Sequence, residues 1–330
     1  MTEDALIAAL RAIVEVPVAG ARAPIAGIGD DAAVWQPSRS HLSVATTDAL
    51  VDGVHFASDA MNPRDVGHRA MAANLSDVAA MGARPVLATI ALGVSDAIDE
   101  DWILACYRGL DALARANRTS IVGGDIVRAQ AAFLSITIVG EVRRSNLKRR
   151  SGGRPGHVLA TTGPLGASRA GLELTRRSLD LDDAARAAAE EAFARPRPRL
   201  AEGTWLAASG HVHAMMDCSD GLSTDLGRLA SASGCGATVE SVPIAPAAAA
   251  VAAAAGGDAF DYALNGGEDF ELLVAVGARA FSHLAQRFAV RFGRPLERVG
   301  TLDAEPGLRL RVPEMEPRDL KPRGWDHLAG

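Results

Sequence analysis

Short apolar runs rich in β-branched residues alternate along this chain with amphipathic or alanine-rich stretches, and that alternation restricts it to a mixed α/β architecture. Strands are expected at residues 42–47, 86–93, 119–122, 133–142, 157–162, 212–216, 237–242 and 271–276. Helices are expected at 62–81, 101–116, 168–177, 182–195 and 222–233. The first of these offers Asn62 as an N-cap, Pro63 at the first helical position and Asp65 in the first turn. The alanine-rich stretch 244–259 reads equally as helix or loop. A chain of 330 residues exceeds what one hydrophobic core usually serves, so two domains are expected, 1–143 and 144–330. The cationic, glycine-containing stretch 143–155 supplies the connection. No repeat of 20–50 residues is present.

Charge narrows the function classes. There are 34 Lys+Arg against 40 Asp+Glu, a net charge of −6, which disfavours a general nucleic-acid or anionic-membrane binder. Only two of the cations are lysines, Lys148 and Lys321. Neither lies in a G-x-x-x-x-G-K-[ST] run or a kinase-like V-A-I-K, so the two commonest ways of gripping ATP are absent. The N-terminus is acidic where a signal peptide needs basic residues, and the longest apolar run, 244–255, contains Pro246 and is too short to span a bilayer. Cys106, Cys218 and Cys235 form no C-x-x-C pair, which suits a reducing cytoplasm.

The acids are unusual in position. Asp30 and Asp31 follow Gly27-Ile28-Gly29; Asp48 follows Thr46-Thr47; Asp77 ends Asn74-Leu75-Ser76-Asp77; Asp125 follows Gly123-Gly124; Asp217 and Asp220 flank Cys218-Ser219; Glu268-Asp269 follow Gly266-Gly267. The clusters of Asp48, Asp125 and Asp217 are expected directly after strands, where side chains point into a shared crevice. Gathered like charges are costly without a counter-charge. No lysine is near, and no His/Cys cluster suits a soft metal; oxygen donors alone favour Mg²⁺, Mn²⁺ or Ca²⁺, and Mg²⁺ arrives with phosphates. The residues therefore point to a metal–nucleotide site in which Mg²⁺ takes the place of the missing lysine.

Plainer readings compete at each cluster. A lone Gly-Asp or Ser-Asp is ordinarily a turn or a helix cap. Gly27–Ala32 matches the dinucleotide fingerprint G-x-G-x-x-A, but two carboxylates would face the pyrophosphate and no strand precedes it. Gly163-Pro164-Leu165-Gly166 reads as a tight strand-to-helix turn more readily than as a phosphate cradle. The Arg-Pro-Arg-Pro-Arg run at 195–199 reads as structural. His55 alone is a structural histidine, and Trp325 alone an anchor near the C-terminus.

Together, the six clusters, Val51-x-x-x-His55-Phe56, the extension Val78-Ala79-Ala80-Met81-Gly82-Ala83 and the ending Gly324-Trp325-Asp326-His327 resemble the thiamine-monophosphate kinases in order and spacing over essentially the whole chain. The resemblance implies the two-domain fold of the aminoimidazole-ribonucleotide-synthetase-like superfamily. That fold is an N-terminal α/β domain for ATP, Mg²⁺ and dimerisation, whose strands form a β-barrel with a second subunit, and a C-terminal α+β domain completing the nucleotide and substrate site. It implies a cytoplasmic homodimer moving the γ-phosphoryl group of ATP onto thiamine monophosphate with several Mg²⁺ ions. By the same resemblance the metal ligands are Asp31, Thr46, Thr47, Asp48, Asp77, Asp125, Asp217 and Asp220. Nucleotide contacts are Tyr107, Gly124, Asp125, Arg150 (with Arg149 as competitor) and Ser219. Substrate contacts are His55, Glu268 and Trp325. No general base is assigned, because a phosphate monoester with a second pKa of about 6 is largely an oxyanion already. Asn265 stands where serine is common, and Cys218 separates Asp217 from Ser219.

Other members of the superfamily fit less well. No cysteine precedes Cys106, so the selenophosphate synthetases' nucleophile is missing, and the chain ends Leu328-Ala329-Gly330 rather than in the cysteine of the hydrogenase-maturation relatives. The purine-synthesis members do not combine the 74–83 and 266–271 motifs with the terminal tryptophan. A non-catalytic nucleotide-binding relative would have lost metal ligands, and none is lost here.

Overall fold

The computed structural model describes residues 2–15, 20–21, 23–28, 32–313 and 315–325. Two compact units result. Residues up to Val78 with Ala83–Arg144 form the first; Ala79–Gly82 with Ser145 onward form the second.

The first unit runs α1 (Glu3–Val14), β1 (Leu42–Val51), α2 (Pro63–Ala80), β2 (Arg84–Val94), α3 (Glu100–Ala116), β3 (Ser120–Arg128) and β4 (Phe133–Val142). Its sheet has the order β1-β4-β2-β3, antiparallel except for β2 with β3. Strand pleating sends alternate residues to opposite faces. One face carries Leu134, Ile136, Ile138, Ala88, Ile90 and Leu92, all buried, and α2 reaches this face from Asn74 and Asp77. The other holds the cross-strand row Thr47, Thr137, Thr89, Gly123 and the next row Ala49, Ser135, Ala91, Asp125. These residues are half-buried or exposed. Helix α2 begins as its sequence requires: Asn62 Oδ1 accepts the Arg64 N–H at 2.9 Å ahead of Pro63.

The second unit continues with β5 (Val158–Thr161), α4 (Ala167–Arg176), α5 (Asp183–Ala194), α6 (Leu200–Ala208), β6 (Val212–Asp217), α7 (Leu222–Ala232), β7 (Gly236–Val239), α8 (Pro246–Ala255), α9 (Ala259–Asn265), β8 (Leu272–Val276), α10 (Ala278–Phe292), β9 (Glu297–Asp303), β10 (Leu308–Leu310) and β11 (Arg318–Asp319). Its sheet order is β11-β10-β7-β9-β5-β8-β6, mostly antiparallel. β5 and β8 are buried along their whole length, which explains their uninterrupted apolar sequences. The alanine-rich stretch is helical. Pro246 occupies the first turn, Gly256 ends it in the left-handed conformation, and Ala247, Ala248, Val251 and Ala252 are buried against α4 and α5.

Two sequence expectations need correction. Strand β1 continues through Asp48 to Val51, and β3 through Asp125 to Arg128. Both acids therefore lie inside strands instead of following them. Polar residues extend each strand because both strands are sheet edges, where water solvates the outer positions.

Candidate active site: two carboxylate-bearing frameworks

In the first unit the functional side chains hang on the contact between β1 and α2. Thr46 Oγ1 donates to Asp77 Oδ2 at 2.5 Å, and the Asp48 N–H donates to Asn74 Oδ1 at 3.0 Å. Asn74 is fully buried and its amide is fixed by a second bond, Nδ2 to Ala70 O at 3.0 Å. As an edge strand, β1 would leave the Asp48 N–H without a strand partner on that side; Asn74 supplies one. Asp77 is half-buried and Asp48 exposed, so both carboxylates remain accessible.

Strand alternation divides the remaining expected ligands. Thr46 and Asp48 lie on the α2 side, whereas Thr47 belongs to the opposite row, where its hydroxyl donates to Ile136 O at 3.0 Å and accepts from Thr137 Oγ1 at 3.2 Å. Asp125 is exposed in the row next to Thr47, and its Oδ1 accepts the Ile126 N–H. Gly124 has a structural reason of its own: a Cβ there would lie 2.0 Å from Ile90 O. Tyr107 is buried on α3, and burial pushes its phenol up from the ordinary value. Asp31, with Gly29 and Asp30, lies outside the described residues.

His55 sits in the turn after β1, closed by the Gly53 N–H to Phe56 O and by Asp52, whose carboxylate accepts from Ser58 N–H and O–H. The Val51 N–H donates to His55 Nδ1 at 3.1 Å. A ring nitrogen that accepts carries no proton, so the neutral imidazole bears its proton on Nε2.

The second unit brings three separate motifs together. Asp217, almost fully buried, ends β6. Beyond it the 217–220 segment is laced to the 268–271 segment by Cys218 N–H to Glu271 O, Phe270 N–H to Cys218 O and Glu268 N–H to Ser219 O, at 2.7, 3.0 and 2.8 Å. The Trp325 N–H then donates to Asp220 O at 3.1 Å. Glu268 and Phe270 are held at φ of 62° and 50°, a conformation costing roughly 1–2 kcal/mol each in side-chain-bearing residues. Strain of this kind persists only where the surrounding bonds overdetermine it, as they do here.

Asp220 is paired with Arg228, which also holds the fully buried Asp225 at 3.1 Å. Burial, followed by the Asp220 charge, pushes the Asp225 carboxyl up to about 7, although the Asp220 N–H and Arg228 act the other way. The Cys218 thiol lies in the core and is pushed up by the same two kinds of effect, burial first and then the neighbouring carboxylates. It is a packing group here. Arg150 lines a cavity of about 860 Å³ with Thr224, Arg228, Leu308, Leu320 and Pro322, and its carbonyl accepts from Ser233. The Arg149 carbonyl instead accepts the Met215 N–H at the edge of β6.

The remaining sequence motifs find structural explanations. Asp269 accepts the Gly166 and Ser168 N–H groups at 2.8 and 3.2 Å, so the N-terminus of α4 already holds a carboxylate of this chain and Gly163–Gly166 is a turn. Burial pushes Asp269 up to about 7 against the lowering effect of those N–H groups. Arg199, from the arginine–proline run, pairs in two-pronged fashion with the buried Glu271 at 2.5 and 3.0 Å. Asn74, Ser223 and Asn265 were not singled out from sequence as site residues. A polar side chain at a position flanked by core residues, as Asn74 is by Ala73 and Leu75, is the signal that marks them.

Among the described residues no three His, Cys, Asp or Glu side chains converge closely enough to cage a metal ion. The donor set nonetheless fits Mg²⁺, which characteristically takes one or two carboxylates and completes its shell with water and phosphate oxygens. Asp77 with Asp48 in the first unit, and Asp217 with Asp220 in the second, offer oxygen donors only.

Strands, helices and these carboxylate frameworks define a class, and sequence comparison agrees with it. The family model "AIR synthase related protein, N-terminal domain" matches residues 29–142, and "AIR synthase related protein, C-terminal domain" matches residues 154–313. Within that class the resemblance is closer still. The chain is 34% identical over 325 residues to the thiamine-monophosphate kinase of Synechococcus elongatus, covering 95% of each. It is similar in structure to the thiamine-monophosphate kinase from Stenotrophomonas maltophilia K279a, with a TM-score of 0.81, 36% identity and coverage of 94% and 96% of the two chains. The solved complex of AaThiL with AMPPCP and TMP gives a TM-score of 0.77 at 27% identity, covering 98% of this chain and 96% of that one. The chain belongs to the thiamine-monophosphate kinase family.

Proposed function

We propose that this chain transfers the γ-phosphoryl group of ATP directly onto the phosphate of thiamine monophosphate, giving thiamine diphosphate and ADP. The observation that carries the reading is the fixed pairing of Thr46 with Asp77 and of Asp48 with Asn74, in a chain of this family. It places accessible carboxylates on a rigid strand–helix contact. Phosphoryl transfer asks chiefly for positioning and charge neutralisation.

Asp31, Asp48, Asp77 and Asp125, with oxygens of Thr46 and Thr47, are the proposed metal-holding groups of the N-terminal unit; Asp217 and Asp220 are those of the C-terminal unit. Mg²⁺ bound there supplies positive charge for the transferring and accepting phosphates. The chain's own groups do the rest. Gly124, Asp125, Arg150, Ser219 and Tyr107 are the proposed nucleotide contacts, Arg150 being the one cation among them. His55, with its proton on Nε2, donates a hydrogen bond to the acceptor phosphate. Glu268 attracts the thiazolium cation and Trp325 offers a stacking face to the flat rings. The acceptor is mostly dianionic near neutral pH, so no side chain has to remove a proton.

We propose further that two copies associate through the first unit's sheet into a shared barrel, which its open face of Thr, Ala and Ser rows supports. Three free, buried cysteines suit a reducing compartment, the cytoplasm. No helix among the described residues is long and apolar enough to cross a membrane.

The test is a product assay with ATP, Mg²⁺ and thiamine monophosphate, using free thiamine and a metal-free sample as controls. Metal-dependent diphosphate formation from the monophosphate alone is expected. Asp48→Asn and Asp77→Asn should each lower turnover by about 100-fold or more, as removal of a preorganised electrostatic group does. Both should unfold within about 1 kcal/mol of the parent, because the backbone bond of residue 48 to Asn74 is kept and an amide oxygen at position 77 can still accept from Thr46. Near-normal turnover in both variants would overturn the assignment; ATP binding without product would move the search to another acceptor.

A further inference from the structure

The last described residues form a strap whose fastening lies wholly within the second unit. Strand β11 pairs with β10, and the Leu320 N–H donates to Leu308 O at 2.8 Å, with Leu320 packed on the core. Three consecutive backbone N–H groups are then taken up by the first turn of α7 and by Asp220 just before it. Arg323 donates to Ser223 Oγ at 3.2 Å, Gly324 to Thr224 Oγ1 at 3.0 Å, and Trp325 to Asp220 O at 3.1 Å. The approach is close enough to require glycine: a Cβ on Gly324 would lie 1.8 Å from Asp220 O and 2.6 Å from Thr224 Oγ1.

Ser223 is fully buried and its hydroxyl is used twice. It accepts from Arg323 and donates to Asn265 Oδ1 at 2.7 Å, while Asn265 Nδ2 donates to Asp261 Oδ1 at 2.7 Å and so fixes which way the amide points. Asn265 directly precedes Gly266-Gly267-Glu268. The relay therefore ties the strap to the root of the strained Glu268 loop. At the far end, the neighbouring carbonyls of Ser219 and Asp220 accept from Glu268 and Trp325 respectively. Two residues 57 positions apart in sequence are thus registered on adjacent peptide units.

We infer that Ser223, Thr224 and Asn265 are positioning residues that latch the C-terminal strap, holding Trp325 beside Glu268 as one recognition surface for a flat, cationic acceptor. None of the three need touch the acceptor. Trp325 is half-exposed, so its ring has a face to offer once its backbone is fixed. The latch fixes the backbone from which that ring departs. The nature of the acceptor rests on the function proposed above; the latch itself does not.

The experiment compares Thr224→Val, which keeps shape and removes the acceptor for Gly324, with Thr224→Ser, which restores it. The first readout needs no substrate. The Arg323–Gly324 bond is open to trypsin only when the strap lifts, whereas the bond after Lys321 precedes a proline and resists cleavage. Mass spectrometry should show Thr224→Val losing the residues beyond Arg323 at least about fivefold faster than the parent, a modest shift in the opening equilibrium. The second readout is kinetic. KM for thiamine monophosphate should rise about five- to tenfold in Thr224→Val, with kcat and KM for ATP within about twofold, the pattern of lost uniform binding. Thr224→Ser should return both readouts to parental values, and Ser223→Ala should reproduce the Thr224→Val pattern. Faster cleavage with an unchanged acceptor KM would overturn the positioning role, and unchanged cleavage would overturn the latch. A parent enzyme inert toward thiamine monophosphate, with the cleavage difference intact, would remove the function and with it the acceptor named here, while leaving the latch established.

Discussion

Two buried polar side chains in this protein hold the backbone of proposed metal ligands. Asn74 holds the Asp48 N–H, and Asp225 holds the Asp220 N–H at 3.0 Å. In both cases a buried side chain fixes a neighbouring main chain without using that neighbour's carboxylate, which at Asp220 pairs with Arg228. The His157 and His213 rings obey a different balance. They stack with centroids 4.5 Å apart, and both pKa values are lowered, by burial first and then by the His213 and Arg154 charges for His157 and the Lys148, Arg154 and His211 charges for His213. A histidine whose folded pKa lies below its unfolded value of about 6.5 contributes stability that is present above that pH. The contribution is lost as pH falls through the folded pKa, because the unfolded state then binds more protons. His213→Phe keeps the stack without the second charge, so its melting temperature should drop less between pH 7.5 and pH 5.5 than the parent's. Equal drops measured by calorimetry would show that the pair does not govern acid sensitivity.

At the scale of elements, the loop between α9 and β8 needs a firm end because its middle is strained. Glu271 provides that end. Its carboxylate takes Thr162 Oγ1 at 2.6 Å, both prongs of Arg199, and Arg294 at 3.0 Å, and Arg294 continues to Glu202 at 2.9 Å. Glu271→Leu would leave two guanidinium groups facing an apolar side chain where their counter-charge had been. Breaking a buried pair in this way costs about 3–5 kcal/mol, readable as a lower denaturation midpoint, and a loss under about 1 kcal/mol would mean that Arg199 and Arg294 relax into solvent. The same elements show what sequence can convey. β4 and the body of α2 were legible because apolar periodicity is undisturbed there. Strand ends were not, since Asp48 and Asp125 look like stops yet continue edge strands whose outer face is wet. α8 was ambiguous because alanine satisfies helix and loop alike until α4 and α5 are known to bury it. The motifs around 217–221, 266–271 and 324–325 were visible as motifs, but their lacing depends on backbone bonds between distant segments, which no local spacing encodes.

For the whole molecule, the open question of surface is the first unit's sheet. Its helix-side face is apolar on β4 and β2, with Thr46 and Asp48 at the β1 edge, while the opposite face presents Thr47, Thr137 and Thr89 in one row and Ala49, Ser135 and Ala91 in the next. Phe133 lies across Gly93 beside them, and Val127 is exposed. Small and β-branched side chains at these positions allow another sheet to approach closely, and both edge strands, β1 and β3, end without a neighbour within the sheet. A surface left in water would ordinarily carry charges there, and among these rows only Asp125, at the β3 edge, is charged. If two copies close a barrel on this face, an arginine at its centre must be buried without a partner, at a cost of several kcal/mol. Thr89→Arg sits on β2, two strands from Thr47 in the same row, and the readout is the mass of the particle rather than turnover. Sedimentation at micromolar concentration should therefore give about twice the 34.2 kDa chain mass for the parent and the chain mass for Thr89→Arg, with the variant still folded by circular dichroism. A parent that sediments as a monomer would remove the barrel from the proposal. A Thr89→Arg dimer would move the interface to another face, because no closely packed sheet pair could accept that side chain.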